Sequence, residues 1–252
     1  MPRRDWWSKP FRRMVVMGES TVQGGGWLES ESERWAGILA ALINGCQTTP
    51  MEYLNKGIGA NAISPRSPGY ANSAKPSAME RYKADVIANK PDLFVLCYGL
   101  NDMRAAMPLD EFVEDMRTII SDVKKACNPL TVLTTVYYMT GWRSFPPYDK
   151  GSKALTRRYN RAIKDLAEEQ GCIVADVWAA EGEADWLINP DGVHANKVGN
   201  LLIAHRVFEA IATHCSGVSK ATYERDFPTK WTQQTMRHRA NDGDPHDPWW
   251  RE

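Results

Sequence analysis

The stretch "RRMVVMGES" (residues 12–20) runs from two arginines through four apolar residues into a glycine, a glutamate and a serine. A short unbroken apolar run containing valine reads as a strand covered on both faces, with Gly18 marking its end. Four more runs have this character, at 51–55, 92–99, 130–138 and 172–178. Between them lie segments with helical spacing, at 33–44, 77–89, 109–126, 153–170 and 195–214. Pro108 and two acids open the third, and Gly171 stops the fourth. Strand and helix in strict alternation predict right-handed crossovers and a five-stranded parallel sheet with helices on both faces. In such a sheet ligands bind at the carboxyl ends of the strands. Attention therefore falls on the loops at 18–26, 56–75, 100–107, 139–151 and 179–194.

Composition narrows the partners. The 252 residues carry 31 basic and 31 acidic side chains, which leaves no electrostatic footprint for nucleic acid or an anionic membrane. Five cysteines, odd in number and widely spaced, read as reduced thiols rather than a disulfide framework. No spacing points to a metal, and no cofactor is expected. The basic N-terminus is followed by no apolar core of a secretory signal, and no segment reaches the roughly 18 apolar residues of a membrane span. A cytoplasmic protein is the expectation. One domain is expected over 1–216. Residues 217–252 lose apolar periodicity and are expected to pack on that domain or on a second subunit. The pairs Trp6-Trp7 and Trp249-Trp250 favour docking over solvation, and with it self-association.

The strand-end loops carry a recurring set of polar residues: Ser20 after the first strand, "NKGIGAN" (55–61) after the second, "GLND" (99–102) after the third and "DGVH" (191–194) after the fifth. Serine is a poor nucleophile at neutral pH and needs a base, which itself needs an orienting partner. His194 and Asp191, three residues apart, supply both. Asn101 offers an uncharged amide donor, the glycine-rich turn at 57–60 a backbone N–H, and Ser20 its own N–H. Together they form a three-donor oxyanion hole.

Taken in order, Gly18-Glu19-Ser20, Asn55-Lys56-Gly57-Ile58, Gly99-Leu100-Asn101-Asp102 and Asp191-Gly192-Val193-His194 resemble the four blocks of the SGNH (GDSL-type) hydrolase family. The resemblance implies a flavodoxin-like three-layer α/β/α sandwich, the SGNH hydrolase fold. It also implies Ser20 as nucleophile, His194 as general base, Asp191 as its orienter, and Ser20, Asn101 and Gly59 or Ala60 as oxyanion donors. The sequence departs from the family twice. Glu19 stands where aspartate is usual, so the bonds bracing the nucleophile turn must be rearranged. Ala60 stands where glycine is usual, and is expected to serve as donor only if it avoids positive φ; otherwise Gly59 takes the role.

The implied activity is a serine esterase. The aromatic-rich loop at 139–151, with no sign of a long apolar groove, favours a short acyl group, acetyl above all, on a carbohydrate or similar small molecule. Glu19, Trp27, Arg104 and Trp142 are the candidate substrate contacts, and Tyr148 is also suited to a sugar face. Two alternatives stand beside this: a non-catalytic carbohydrate-binding protein with the same fold, and an enzyme acting on a glycosidic or other non-ester bond.

Overall fold

The computed structural model describes residues 4–226. Five parallel strands, β1 (Arg13–Gly18), β2 (Glu52–Gly57), β3 (Leu93–Cys97), β4 (Leu130–Thr134) and β5 (Ile173–Ala175), form one sheet in the order β2-β1-β3-β4-β5. That order and the helices on both faces make the expected flavodoxin-like three-layer sandwich. The central strands β3 and β4 are buried at every residue and β1 at all but its first, as the apolar runs require. The edge strand β2 is exposed or half-buried throughout.

One layer holds α2 (Trp35–Cys46) packed on α8 (Lys197–Ala212), and the other holds α3 (Ala78–Asp85), α5 (Leu109–Cys127) and α6 (Lys153–Gln170). Helix limits follow local chemistry. Ser152 Oγ accepts the Leu155 amide at the start of α6, and Gly171 ends it at φ +60. Ser77 and Glu80 form a reciprocal box at the start of α3.

Three strands end earlier than their apolar runs, β3 at Cys97 where its run reaches Gly99. β4 was expected to reach residue 138, yet beyond Thr134 the Asn160 side chain takes both the N–H and the C=O of Val136 (2.8 and 2.9 Å) and pulls the chain off the ladder. β5 stops at Ala175 because the Asp176 carboxylate caps α7 (Val177–Glu181). Two short helices absent from the periodicity reading, α1 (Ser20–Gln23) and α4 (Leu100–Arg104), stand at the ends of β1 and β3.

A further helix, α9 (Ser216–Asp226), meets the N-terminal segment. Trp6 N–H donates to His214 O, Gly217 N–H donates to Trp7 O, and Asp5 accepts the Ser216 amide at 3.0 Å. Trp6 and Trp7 pack half-buried against the core. The Trp249-Trp250 pair lies outside the described residues, as does the extension beyond Asp226. All five cysteines are free, with Cys97, Cys172 and Cys215 buried. Among the described residues no helix is long and apolar enough to cross a membrane, and no cluster of three metal-ligating side chains occurs.

Candidate active site

The carboxyl ends of β1, β2 and β3 place three of the four blocks side by side. Gly18 pairs with Gly57 on one side and with Cys97 on the other, so the chain leaves all three strands at the same level. Glu19 precedes α1 and Ser20 opens it, with Val22 and Gln23 amides donating to Glu19 O. Gly99 adopts φ +120, a conformation that a side chain would strain, and turns the chain straight into α4 with Asn101 in its first turn.

The fourth block arrives from the loop before α8. Asp191 Oδ1 accepts the backbone amides of Val193 (2.8 Å) and His194 (2.9 Å), which coils the loop tightly. Its other oxygen lies 2.7 Å from His194 Nδ1, and His194 Nε2 lies 2.9 Å from Ser20 Oγ. The loop at 139–151 closes against this turn: the amides of Thr140 and Gly141 both donate to Gly192 O (2.9 and 2.6 Å). A Cβ at position 141 would stand 3.0 Å from that oxygen.

Electrostatics favour a neutral imidazole facing a carboxylate. Burial holds the His194 pKa below its usual 6.5; the Asp191 carboxylate opposes this, and the Arg104 charge adds to it. Burial alone would raise the Asp191 pKa, but hydrogen bonds from the His194 amide and ring and from the Val193 amide outweigh it and hold the group ionised.

Asn101 Nδ2 gives one hydrogen to Asn61 O at 3.0 Å, leaving its second for a ligand. Ala60 sits at φ +52, the conformation penalised for alanine by roughly 1–2 kcal/mol. Positive φ is the condition under which Gly59 is expected to take the donor role instead of Ala60. Among the described residues no acceptor engages either amide.

The four candidate substrate contacts take different places. Glu19 is 1% exposed, and its carboxylate accepts the amides of Leu100 (2.9 Å) and Asn101 (3.1 Å), so it braces the turn instead of facing a ligand. Trp27 stacks on the His194 ring with centroids 4.0 Å apart. Arg104 is buried: its Nη2 donates to Ser144 Oγ and its guanidinium lies over Tyr148. Trp142 packs into an aromatic group with Tyr138 and Trp178. Tyr148 is itself buried, so its ring offers no open sugar face.

Several contributors were not among the candidate site residues, although Asn61 and Asp102 lie within the quoted blocks. Asn61 accepts the Tyr98 hydroxyl and donates to the carbonyls of Ala74 and Pro76. Arg81, 4% exposed, donates to the carbonyls of Gly18 and Lys56 and to Tyr98 Oη, tying together the ends of β1 and β2 and the residue after β3. Asp102 is fully buried in α4. Its carboxylate accepts the Ile63 amide, and burial raises its pKa to about 6. On the same loops, Phe145 and Trp186 are the large apolar side chains left two-thirds exposed.

Known proteins share this architecture and part of the sequence. An acetylxylan esterase of Geobacillus stearothermophilus is 25% identical over 173 residues, covering 63% of this chain and 71% of that protein. The crystal structure of an acetylxylan esterase from the same organism superposes with a TM-score of 0.61 at 20% identity, covering 84% of this chain and 96% of that one. A lipase/acylhydrolase from Enterococcus faecalis superposes with a TM-score of 0.64 at 19% identity, covering 80% and 96%. At such identities the structures attest the fold. The family model for GDSL-like lipases and acylhydrolases matches residues 16–202, a span holding all four blocks. The chain therefore belongs to the GDSL-like lipase/acylhydrolase family and is a carboxylic ester hydrolase.

Proposed function

We propose that the protein is a serine esterase that removes a short acyl group, acetyl in the first instance, from a carbohydrate or similar polyol. The observation that carries this reading is the continuous chain Ser20 Oγ to His194 Nε2 (2.9 Å) and His194 Nδ1 to Asp191 Oδ2 (2.7 Å) at the end of the sheet. A neutral His194 takes the Ser20 proton as Oγ attacks the ester carbonyl. Asp191 fixes the tautomer and stabilises the imidazolium. The Ser20 N–H, the free hydrogen of Asn101 Nδ2 and the Gly59 amide receive the developing oxyanion. His194 then protonates the departing alcohol, an acyl-enzyme remains on Ser20, and water activated by the same histidine releases the acid. These residues complete the cycle without a cofactor.

The acetyl-carbohydrate preference draws support from the acetylxylan esterase relative and from the exposed rings of Phe145 and Trp186 on two of the strand-end loops, faces suited to stacking on sugars. Against a glycosidic reaction, the carboxylates of Glu19 and Asp191 are both committed to backbone amides. A screen over acetylated xylose oligomers and a nitrophenyl ester series from acetate to decanoate tests the reading. Turnover greatest with acetyl and lost in Ser20→Ala is expected. Activity retained in Ser20→Ala overturns the mechanism, and a maximum at decanoate overturns the substrate class.

A further inference from the structure

The glutamate that replaces the family's usual aspartate sits between two parts of the site. It is joined through its peptide bond to Ser20 and through its side chain to the amides of Leu100 and Asn101. β1 and β3 leave the sheet in register at Gly18 and Cys97, so a side chain at position 19 must reach past Tyr98 and Gly99 to touch the start of α4. The extra methylene of glutamate serves that reach, with each carboxylate oxygen taking one amide. At 1% exposure the group has no water to substitute for either bond.

We propose that Glu19 is a positioning residue that sets the separation between the Ser20 nucleophile and the Asn101 oxyanion donor. This rests on the esterase reading above. Asn101 is held from three sides: its amide by Glu19, its side chain by Asn61 O, and its carbonyl by the Ala105 amide. Of these, only the Glu19 bond connects it to the nucleophile turn. A displacement of about 1 Å between reacting groups is enough to lower a rate roughly a hundredfold.

The bond pattern requires the carboxylate form, because a protonated oxygen accepts poorly from an amide. The charged and titratable groups facing Glu19 are Asp102 and Arg104 on α4, Cys97 and Tyr98 at the end of β3, Tyr137 after β4, and Tyr148 on the loop at 139–151. Burial and the Asp102 charge raise the Glu19 pKa to about 8, while the two amides and Arg104 pull it down. The Ser20–Asn101 spacing is thus coupled to pH on the alkaline side of the His194 titration.

The test compares Glu19→Gln and Glu19→Asp with the wild-type protein on nitrophenyl acetate across about pH 5 to 10. In wild type, kcat is expected to keep rising through about pH 8. Glu19→Gln has one acceptor in place of two; it is expected to lose ten- to a hundredfold in kcat with KM changed less than threefold, and to lose the alkaline rise. Glu19→Asp keeps the charge with less reach, and is expected to recover part of kcat and the rise. Folding is monitored through the stoichiometry of Ser20 labelling by a fluorophosphonate. Wild-type kcat and pH profile in Glu19→Gln overturn the proposal. So does a loss in kcat that only follows the fraction of unlabelled protein. Failure of the esterase reading shows separately, as wild-type turnover that Ser20→Ala retains.

Discussion

His194 is where the chemistry and its pH dependence meet. Its pKa lies below 6.5, chiefly through burial, and in the proposed mechanism only the neutral ring accepts the Ser20 proton. Activity is therefore expected to fall as pH drops through that lowered value, giving kcat/KM an acid limb below 6.5. Asp191→Asn removes the carboxylate that opposes the burial effect. The limb should move further down while kcat falls by roughly 10²- to 10⁴-fold, readable in a pH–rate profile. The Trp27 ring is stacked on His194 at 4.0 Å, so an imidazolium formed in the proposed mechanism would gain a cation–π interaction worth about 0.5–2 kcal/mol. Trp27→Leu keeps the apolar cover and should lower kcat/KM by roughly 2- to 30-fold. Ala60, held at φ +52, carries strain that glycine would not. Ala60→Gly is expected to raise stability by about 1 kcal/mol, measured by denaturant unfolding.

At the scale of elements, the site is built from strand ends whose supports lie elsewhere in the chain. Helix α6 is held at its start by Ser152, and its Asn160 ends β4 and frees the residues that become the 139–151 loop. Ser152→Ala should cost about 1 kcal/mol in urea unfolding, within the range for a lost N-cap. The seam between Gly141 and Gly192 is close: a Cβ at either position would stand 3.0–3.1 Å from the other's backbone. Gly192, at φ +74, also turns the Asp191–His194 block. Apolar periodicity located the strands and main helices but not their limits. An apolar run continues wherever the chain stays buried, whereas the ladder ends where a side chain such as Asn160 or Asp176 captures the backbone.

At the scale of the molecule, two buried glutamates, together with Asp102, make stability depend on pH. Burial raises the Glu181 pKa from 4.5 to about 8, against the pull of the Tyr138 amide; Glu19 is raised to about the same value. Between these limits each glutamate binds more protons in the folded state than in the unfolded chain, so its contribution lowers stability as pH rises from 4.5 towards 8. Below 4.5 the penalty is absent because both states are protonated. Glu181, 2% exposed, uses Oε2 to accept the Tyr138 amide and leaves Oε1 without a partner. Glu181→Gln is therefore expected to raise Tm relative to wild type at about pH 9 and to change it little at about pH 4, a difference that scanning calorimetry reads directly.

The sequence by itself determined the sheet, the alternation of layers and the four polar blocks at strand ends, because these rest on local periodicity and on short motifs read within a few residues. Ser20, Asn101, Asp191 and His194 were legible for that reason. The tertiary structure decided what those blocks lean on. Glu19 meets Leu100 and Asn101 across 81 and 82 positions of chain, Arg81 ties Gly18 to Tyr98, and Trp27 lies on His194. Whether a polar side chain faces a ligand or a backbone amide depends on burial, which the packing of distant segments creates and no local pattern records. Glu19 is the clearest case: a departure from motif by one methylene in sequence, and in space the link between the serine and the asparagine beside it.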